Sequence, residues 1–461
     1  MAVVSDRPTN QPVVRITDRH AEVGPTLESP VPQTLSFLDQ LGLWGNLGVS
    51  LLGFTGALFV LFPGTGKTPL SLAAGLTAII VGTVLGTLVL AAVTVPNART
   101  GVPAMMLLRG LFGGRLSYVP TVLNVLQCVG WGVFEIVTIA AATHSIAHWW
   151  PRWAAVAVAG VLTTAFTIRP LGAIRVLRKY VAVLMIVAVG YLLVQLLRQP
   201  LPAFTRGTWS GFWVATDTLV AAAVSFVPLA GDYTRHARTP RGSFTAAFVG
   251  YGVTQVLCYV MGFIALLTVA HQDEAKIYGG FIAVPVGWLA FAVLVLRELD
   301  QSFADVYSTA VSVQNLRQRW DRRILGLVIG VVTTVTALFT DLSAYQNFLY
   351  LLGAVFVPLG AVLLVDYFLL SGSRWVYTAN APARWSRVAP WVLGFVAYQL
   401  VNPGYISWWQ SGWQHVDSGL GFSPPGWMSA SITSFVVAAV LTPVCAAAAR
   451  LADGRRAPQA A

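Results

Sequence analysis

Glu135 is the only formal charge between Ser117 and Ala147, in a stretch that reads SYVPTVLNVLQCVGWGVFEIVTIAAATHSIA. A carboxylate at bilayer depth is costly unless it faces a partner, a cavity or a proton. Trp131 lies one helical turn earlier, at the i, i+4 spacing that sets two side chains on one face, and that face reaches back to Gln127 and Cys128. A flat aromatic beside a carboxylate in an apolar helix suits a small, planar, polar solute. The plainer alternative is a packed Trp beside a protonated or paired Glu.

A second apolar stretch, WLAFAVLVLRELDQSFADVYSTAVSVQNL, carries Arg297, Glu298, Asp300 and Asp305. Asp305, Ser308 and Thr309 follow at i, i+3 and i+4, which aligns three oxygens on one face. Such oxygens are what a hard cation such as sodium uses. Arg297 and Glu298 read as a neutralising pair or an interfacial belt.

These groups need spans to hold them. The chain has 461 residues, of which 56% are hydrophobic and 10% charged; a soluble domain carries about 25% charged residues. The composition is that of an all-α, polytopic membrane protein. Twelve spans are expected at 41–62, 70–95, 118–147, 153–172, 176–198, 212–231, 243–270, 282–315, 324–340, 345–370, 388–409 and 427–450, each near the ~20 residues a crossing helix needs. Residues 1–34 form an N-terminal tail, 35–450 one transmembrane domain, and 451–461 a short C-terminal tail.

The net charge of +11 would suit a nucleic-acid binder, but its placement excludes that reading. Of the 29 Lys and Arg residues, 23 fall in the two tails and in every even-to-odd loop. By the positive-inside rule both termini and these loops are cytoplasmic, in the cell membrane. The polar first 33 residues hold no apolar signal-peptide core, so the first span is the targeting signal. Cys128, Cys258 and Cys445 all fall within spans and have no disulfide or metal spacing.

Two spans are poor continuous helices. GLWGNLGVSLLGFTGALFVLFPGTG carries five glycines in its first fifteen residues, and GFWVATDTLVAAAVSFVPLAGDYTRH runs through Ser225 and Phe226 to Pro228 and Gly231. They are the first and sixth spans, and interrupted segments in matching halves point to an inverted-repeat transporter. Glycine-rich spans also serve close packing alone. Two motifs lead nowhere. Gly64-Thr65-Gly66-Lys67-Thr68 imitates a P-loop, but Leu61 stands where its first glycine belongs. His144 and His148 have no third ligand.

With these residues in place the chain resembles the nucleobase:cation symporter-1 family of cytosine, purine, uracil, thiamine, allantoin and hydantoin permeases. The motifs are LLGFTGALFVLFPGTG, NARTGVPAMMLLRGLFGGRLSYVPTVLNVLQCVGWGVFE, PLAGDYTRHAR and DVYSTAVS; the second is most similar to bacterial cytosine permeases. The resemblance implies a ten-helix, leucine-transporter-like core of two inverted five-helix repeats with discontinuous helices 1 and 6, two peripheral helices (388–450), and alternating access. It implies a ring held between Trp131 and Phe226, with Ser225 beside them, Glu135 where some members have a hydrogen-bonding Gln, and Gln314 near a polar contact. Cys128 stands where cytosine permeases have Gln, a departure from that subgroup. For sodium the resemblance implies carbonyls near Gly53 and Gly56, the hydroxyls of Ser308 and Thr309, and the backbone of Asp305.

The expected function is therefore secondary active import of a nucleobase such as cytosine or a purine, coupled to sodium or a proton, without a further cofactor. A hydroxymethylpyrimidine, thiamine-like, allantoin, hydantoin or amino-acid cargo would use the same fold. Glu135 as a carboxylate would accept two N–H bonds from an amidine-like edge; protonated, it would donate to a carbonyl and carry a coupling proton. An enzyme would cluster its acid–base or metal groups near one interface, and a channel would show rings of like groups. Polar residues dispersed over spans 1, 3, 6 and 8 fit neither.

Overall fold

The structure, a computed structural model, describes residues 33–456 apart from 65–67, 169, 271–276 and 318. The P-loop-like Gly64–Thr68 stretch and most of the 1–34 and 451–461 tails thus lie largely or partly outside the described residues.

Among the described residues the chain is helical, with two isolated β-bridges, Leu35 to Ala237 and Leu70 to Thr208. The helices are α1 (Phe37–Leu47), α2 (Leu51–Leu61), α3 (Leu72–Thr100), α4 (Ala104–Phe112), α5 (Tyr118–Ile146), α6 (Arg152–Ile168), α7 (Pro170–Leu197), α8 (Phe212–Val224) and α9 (Ala230–Thr234). They continue as α10 (Pro240–Thr268), α11 (Ile277–Ile282), α12 (Gly287–Leu316), α13 (Arg322–Leu338), α14 (Leu342–Ser371), α15 (Trp385–Val401), α16 (Ser407–Leu420) and α17 (Ala430–Arg456). Among the described residues a helix overlaps each stretch expected as a span, although not always to its full length. Five helices among the described residues are long and apolar enough to cross a membrane, and the bent pair α1–α2 makes a sixth. Stripes such as Ile80, Val84 and Leu88 on α3, or Val436, Val440 and Val444 on α17, face outward at a spacing of four. An apolar stripe turned outward at helical spacing suits a lipid environment.

Both interrupted spans break where local chemistry allows. α1 opens on a capping box between Ser36 and Asp39, which satisfies two backbone N–H groups reciprocally. It stops at Gly48, and α2 restarts 57° away, with the Ser50 hydroxyl accepting the Leu52 N–H. A Cβ on Gly48 would sit 2.1 Å from Thr254 Oγ1 and 2.8 Å from the Tyr251 carbonyl, so only glycine lets the break press against α10. The sixth span divides into α8 and α9 around a turn through Ser225, Phe226, Val227 and Pro228.

Two boundaries differ from the sequence expectation. The span expected over 388–409 ends at Val401. Asn402, Pro403 and Gly404 (φ +81°) turn the chain there, and 407–420 forms the separate helix α16, none of whose residues is buried. Its polar face and tryptophans are those of an interfacial helix. α4 lies in what the sequence reads as a loop; Asp232 of α9 accepts its first N–H, that of Ala104, at 3.3 Å.

Asp217 fixes the last helix. Its fully buried carboxylate accepts the Ser429 hydroxyl at 2.5 Å and the N–H groups of Ala430 at 2.9 Å and Ser431 at 3.0 Å. The first turn of α17 is therefore capped from α8. Asp217→Ala is expected to lower stability by about 2 kcal/mol, read as a lower Tm of the detergent-purified chain, and Asp217→Asn by less. An unchanged Tm in Asp217→Ala would remove this capping role.

Candidate functional site

α5 and α12 pack along each other in opposite directions. Asn315 Nδ2 donates to Thr121 Oγ1 at 2.8 Å and Asn124 Nδ2 to Ser312 Oγ at 2.7 Å. Farther along the same pair of helices, Glu135 of α5 lies within electrostatic reach of Asp305 of α12. The two residue sets singled out by spacing are thus brought together, because each rides on one of a tightly paired couple of helices.

Gln127, Trp131 and Glu135 form a stripe on α5, all buried. Gln127 Nε2 donates to Asn124 Oδ1 and to the Ser225 carbonyl, both at 2.8 Å, which ties α5 to the unwound turn after α8. Ser225 Oγ donates back to the Ala222 carbonyl at 2.7 Å. Cys128 Sγ lies 3.7 Å from Asn124 Oδ1. Along the same stripe, Gln127 Oε1, Trp131 Nε1 and both Glu135 oxygens are buried without a hydrogen-bond partner among the described residues. Buried polar atoms are nearly always satisfied, so a row of unmet ones marks a place where something else binds. Eight residues of helix make the row roughly 12 Å long, enough for a ring at Trp131 and a separate charge at Glu135.

Asp305 faces the Glu135 carboxyl from α12, with Glu298 and Arg297 also within electrostatic reach of it. When both are ionised these carboxylates repel, so a cation or a proton near them would relieve the repulsion.

Trp131 meets Tyr345 and Phe348 of α14 edge to face, with ring centroids 5.8 and 5.3 Å apart. Phe226 packs on Tyr251 of α10 at 5.1 Å. The two aromatics thus pack on different neighbours, Trp131 on α14 and Phe226 on α10. Ser308 Oγ donates to the Tyr233 hydroxyl at 3.0 Å, and Thr309 Oγ1 donates to the Asp305 carbonyl at 2.7 Å. Gln314 turns away to the end of α12, where its Nε2 donates to the Trp320 carbonyl at 2.8 Å. Gly53 and Gly56 lie inside the continuous α2, facing Cys258 and Tyr259 of α10; the helix interruption precedes them. His144 and His148 stand with rings 5.6 Å apart, and His144 Nδ1 lies 3.3 Å from the Trp150 carbonyl.

Arg297 and Glu298 hold the break itself. Glu298 accepts the Ser50 hydroxyl at 2.7 Å and the Leu51 N–H at 3.0 Å, so its carboxylate caps the start of α2. Arg297 donates to the Asn46 carbonyl at the end of α1 and to Gln301 Oε1 at 3.3 Å. The cation meets the exposed carbonyl end and the anion meets the exposed N–H end, as the helix dipoles require. Spacing within α12 gave no hint of this, since the partners lie on the first span. Tyr345, Phe348 and Tyr233 were also missed; they are ordinary aromatics in apolar runs, and only their neighbours single them out.

The family model for permeases of cytosine/purines, uracil, thiamine and allantoin matches residues 61–379. A Bacillus subtilis (strain 168) chain, YxlA, which carries the name of a purine-cytosine permease, is 23% identical over 69% of this chain and 75% of its own. The cytosine permease of Escherichia coli (strain K12) is 25% identical over 65% of this chain and 72% of its own. Among solved structures, Mhp1, a nucleobase-cation-symport-1 family transporter closed around bromovinylhydantoin, superposes with a TM-score of 0.69 at 15% identity, over 90% of this chain and 92% of its own. A manganese transporter of Eremococcus coleocola superposes with a TM-score of 0.55 at 13% identity, over 91% of this chain and 98% of its own. These likenesses establish the fold.

Proposed function

Because the chain belongs to the family of permeases for cytosine/purines, uracil, thiamine and allantoin, we propose that it is a cation-coupled importer of a nucleobase such as cytosine or a purine. It is a multi-pass membrane transporter and not an enzyme. In this reading twelve spans form the five-plus-five inverted repeat, with both termini in the cytoplasm of a cell whose plasma membrane holds the protein. Access alternates as cation and cargo bind one state more tightly than the other.

The observation that carries the reading is the row of unmet polar atoms on Gln127, Trp131 and Glu135. A planar heterocycle lying on the Trp131 face would offer an N–H donor to one of the unmet acceptors beside it, Gln127 Oε1 or Glu135. Phe226, beside the Ser225 turn, would close the other side of the ring.

For the coupling ion, the Glu135–Asp305 contact supports a proton held between two carboxyls. The Ser308 and Thr309 hydroxyls donate to Tyr233 and to the Asp305 carbonyl, which leaves their oxygen lone pairs open to a sodium ion as the alternative coupling site. Uptake of radiolabelled cytosine, adenine, guanine and uracil into proteoliposomes tests both points. One of these bases is expected to accumulate under an inward pH gradient without sodium, and Glu135→Gln is expected to abolish that drive. Strict sodium dependence that Ser308→Ala/Thr309→Ala weakens would transfer the coupling to α12. No uptake of any nucleobase would sink the cargo assignment.

A further inference from the structure

Five arginines crowd one cavity at the end of the bundle where the basic loops collect. The cavity, of about 360 Å³, lies between α4, the segment after α14, the start of α15 and the end of α17. Arg109, Arg374, Arg384, Arg387 and Arg450 line it, with Ser371. The one carboxylate among them, Asp366, is fully buried and already saturated. It accepts from Arg387 Nε at 2.7 Å, Trp375 Nε1 at 2.7 Å, Ser371 Oγ at 2.8 Å and Arg384 Nη2 at 3.2 Å. Among the described side chains, five positive charges therefore stand against one negative charge whose lone pairs are used.

Arg109 is the most telling member. It is 2% exposed, its Nη2 donates to the Asn315 carbonyl at 2.7 Å, and its Nε is buried with no partner among the described residues. A buried guanidinium donor left open is costly. Burial and the nearby charges of Arg387 and Arg450 pull Arg384 below its usual range, although Asp366 pushes the other way.

We propose that this cavity binds a phosphate group, supplied in the membrane by the headgroup of an anionic phospholipid. Guanidinium forks bind phosphate oxygens in pairs, and basic pockets at helix ends are suited to lipid headgroups. The volume exceeds that of a water molecule, about 30 Å³, by enough to hold a phosphate with a glycerol beside it. The rim supports the lipid source: Phe368, Leu369, Trp385 and Leu451 are exposed apolar side chains on α14, α15 and α17, where acyl chains would lie. The site is independent of the cargo reading above. Through Arg109 and Asn315 it touches the end of α12, the helix that carries Asp305 and Ser308.

The test uses the full chain, stripped of lipid in a neutral detergent. Its Tm is followed against short-chain phosphatidylglycerol, short-chain phosphatidylcholine and inorganic phosphate, and native mass spectrometry counts retained lipid. Phosphatidylglycerol is expected to raise Tm saturably and to remain as one molecule per chain, while phosphatidylcholine does neither. In Arg374→Gln/Arg450→Gln, which alters two exposed side chains, the apparent Kd is expected to rise at least tenfold, and Arg374→Lys/Arg450→Lys to recover part of it. Stabilisation by inorganic phosphate that the Gln pair abolishes, with no lipid retained, would support the phosphate site and assign its source to solution. Equal stabilisation of wild type and the Gln pair by phosphatidylglycerol, or no response to either phosphate compound, would overturn the proposal.

Discussion

Replacing Trp131 by alanine is expected to weaken cargo binding roughly five- to 150-fold and to bring uptake close to background. The size follows from the stacking of a base on an aromatic face, worth about 1–3 kcal/mol. The same substitution removes the edge-to-face contacts with Tyr345 and Phe348, so some loss of stability accompanies it. Trp131→Phe separates the two effects. It keeps a stacking face and most of the packing but deletes the unmet Nε1 donor, and should retain partial uptake with an intermediate affinity. Cargo-induced thermal stabilisation, measured beside uptake, reads affinity directly. Wild-type uptake in Trp131→Ala would end the stacking assignment.

The second large effect concerns Glu298. Glu298→Ala is expected to destabilise the fold by about 2–4 kcal/mol, because it leaves the buried Leu51 N–H and Ser50 hydroxyl unmet and removes one of the negative charges near buried Arg297. The readout is the Tm and the monodispersity of the purified chain. Glu298→Gln keeps an acceptor for one of the two donors and should lose less. If Glu298→Ala kept both its Tm and its uptake, the carboxylate would not be holding the break in the first span. Arg297→Gln provides the converse test, since it frees the Asn46 carbonyl while leaving the cap on α2 intact.

Much of the site was legible along the chain because its logic is local. The 127, 131 and 135 spacing survives folding unchanged: a helix keeps i, i+4 neighbours on one face whatever surrounds it, and so does the Asp305–Thr309 pair. The interruptions of the first and sixth spans were likewise carried by composition. What could not be read is which partners the polar groups meet. Glu298 and Ser50 are 248 positions apart, Asp217 and Ser429 are 212, and nothing in the neighbourhood of either carboxylate distinguishes a helix cap from a cargo contact. The glycines at 53 and 56 misdirect for a related reason. They look like helix breakers, yet they serve the close approach of Tyr259, and the chain breaks earlier, where Ser50 can cap and Gly48 has no side chain to fit under α10. Gln314 is four residues past Ala310 in the DVYSTAVS helix, but the end of α12 draws it to the Trp320 carbonyl instead.

The arrangement of Arg297 with three carboxylates, Glu298, Glu135 and Asp305, also bears on voltage. One positive charge against three ionisable acids leaves an excess of negative charge inside the span region unless cations occupy it. A unit charge carried across the membrane field is worth about 2.3 kcal/mol per 100 mV. Under the cation-coupled reading proposed above, the empty protein would carry this excess through the field as it reorients, and the loaded protein less of it. The membrane potential would then set the rate of the empty carrier's return, with transient currents in the absence of cargo as its expected electrical signature.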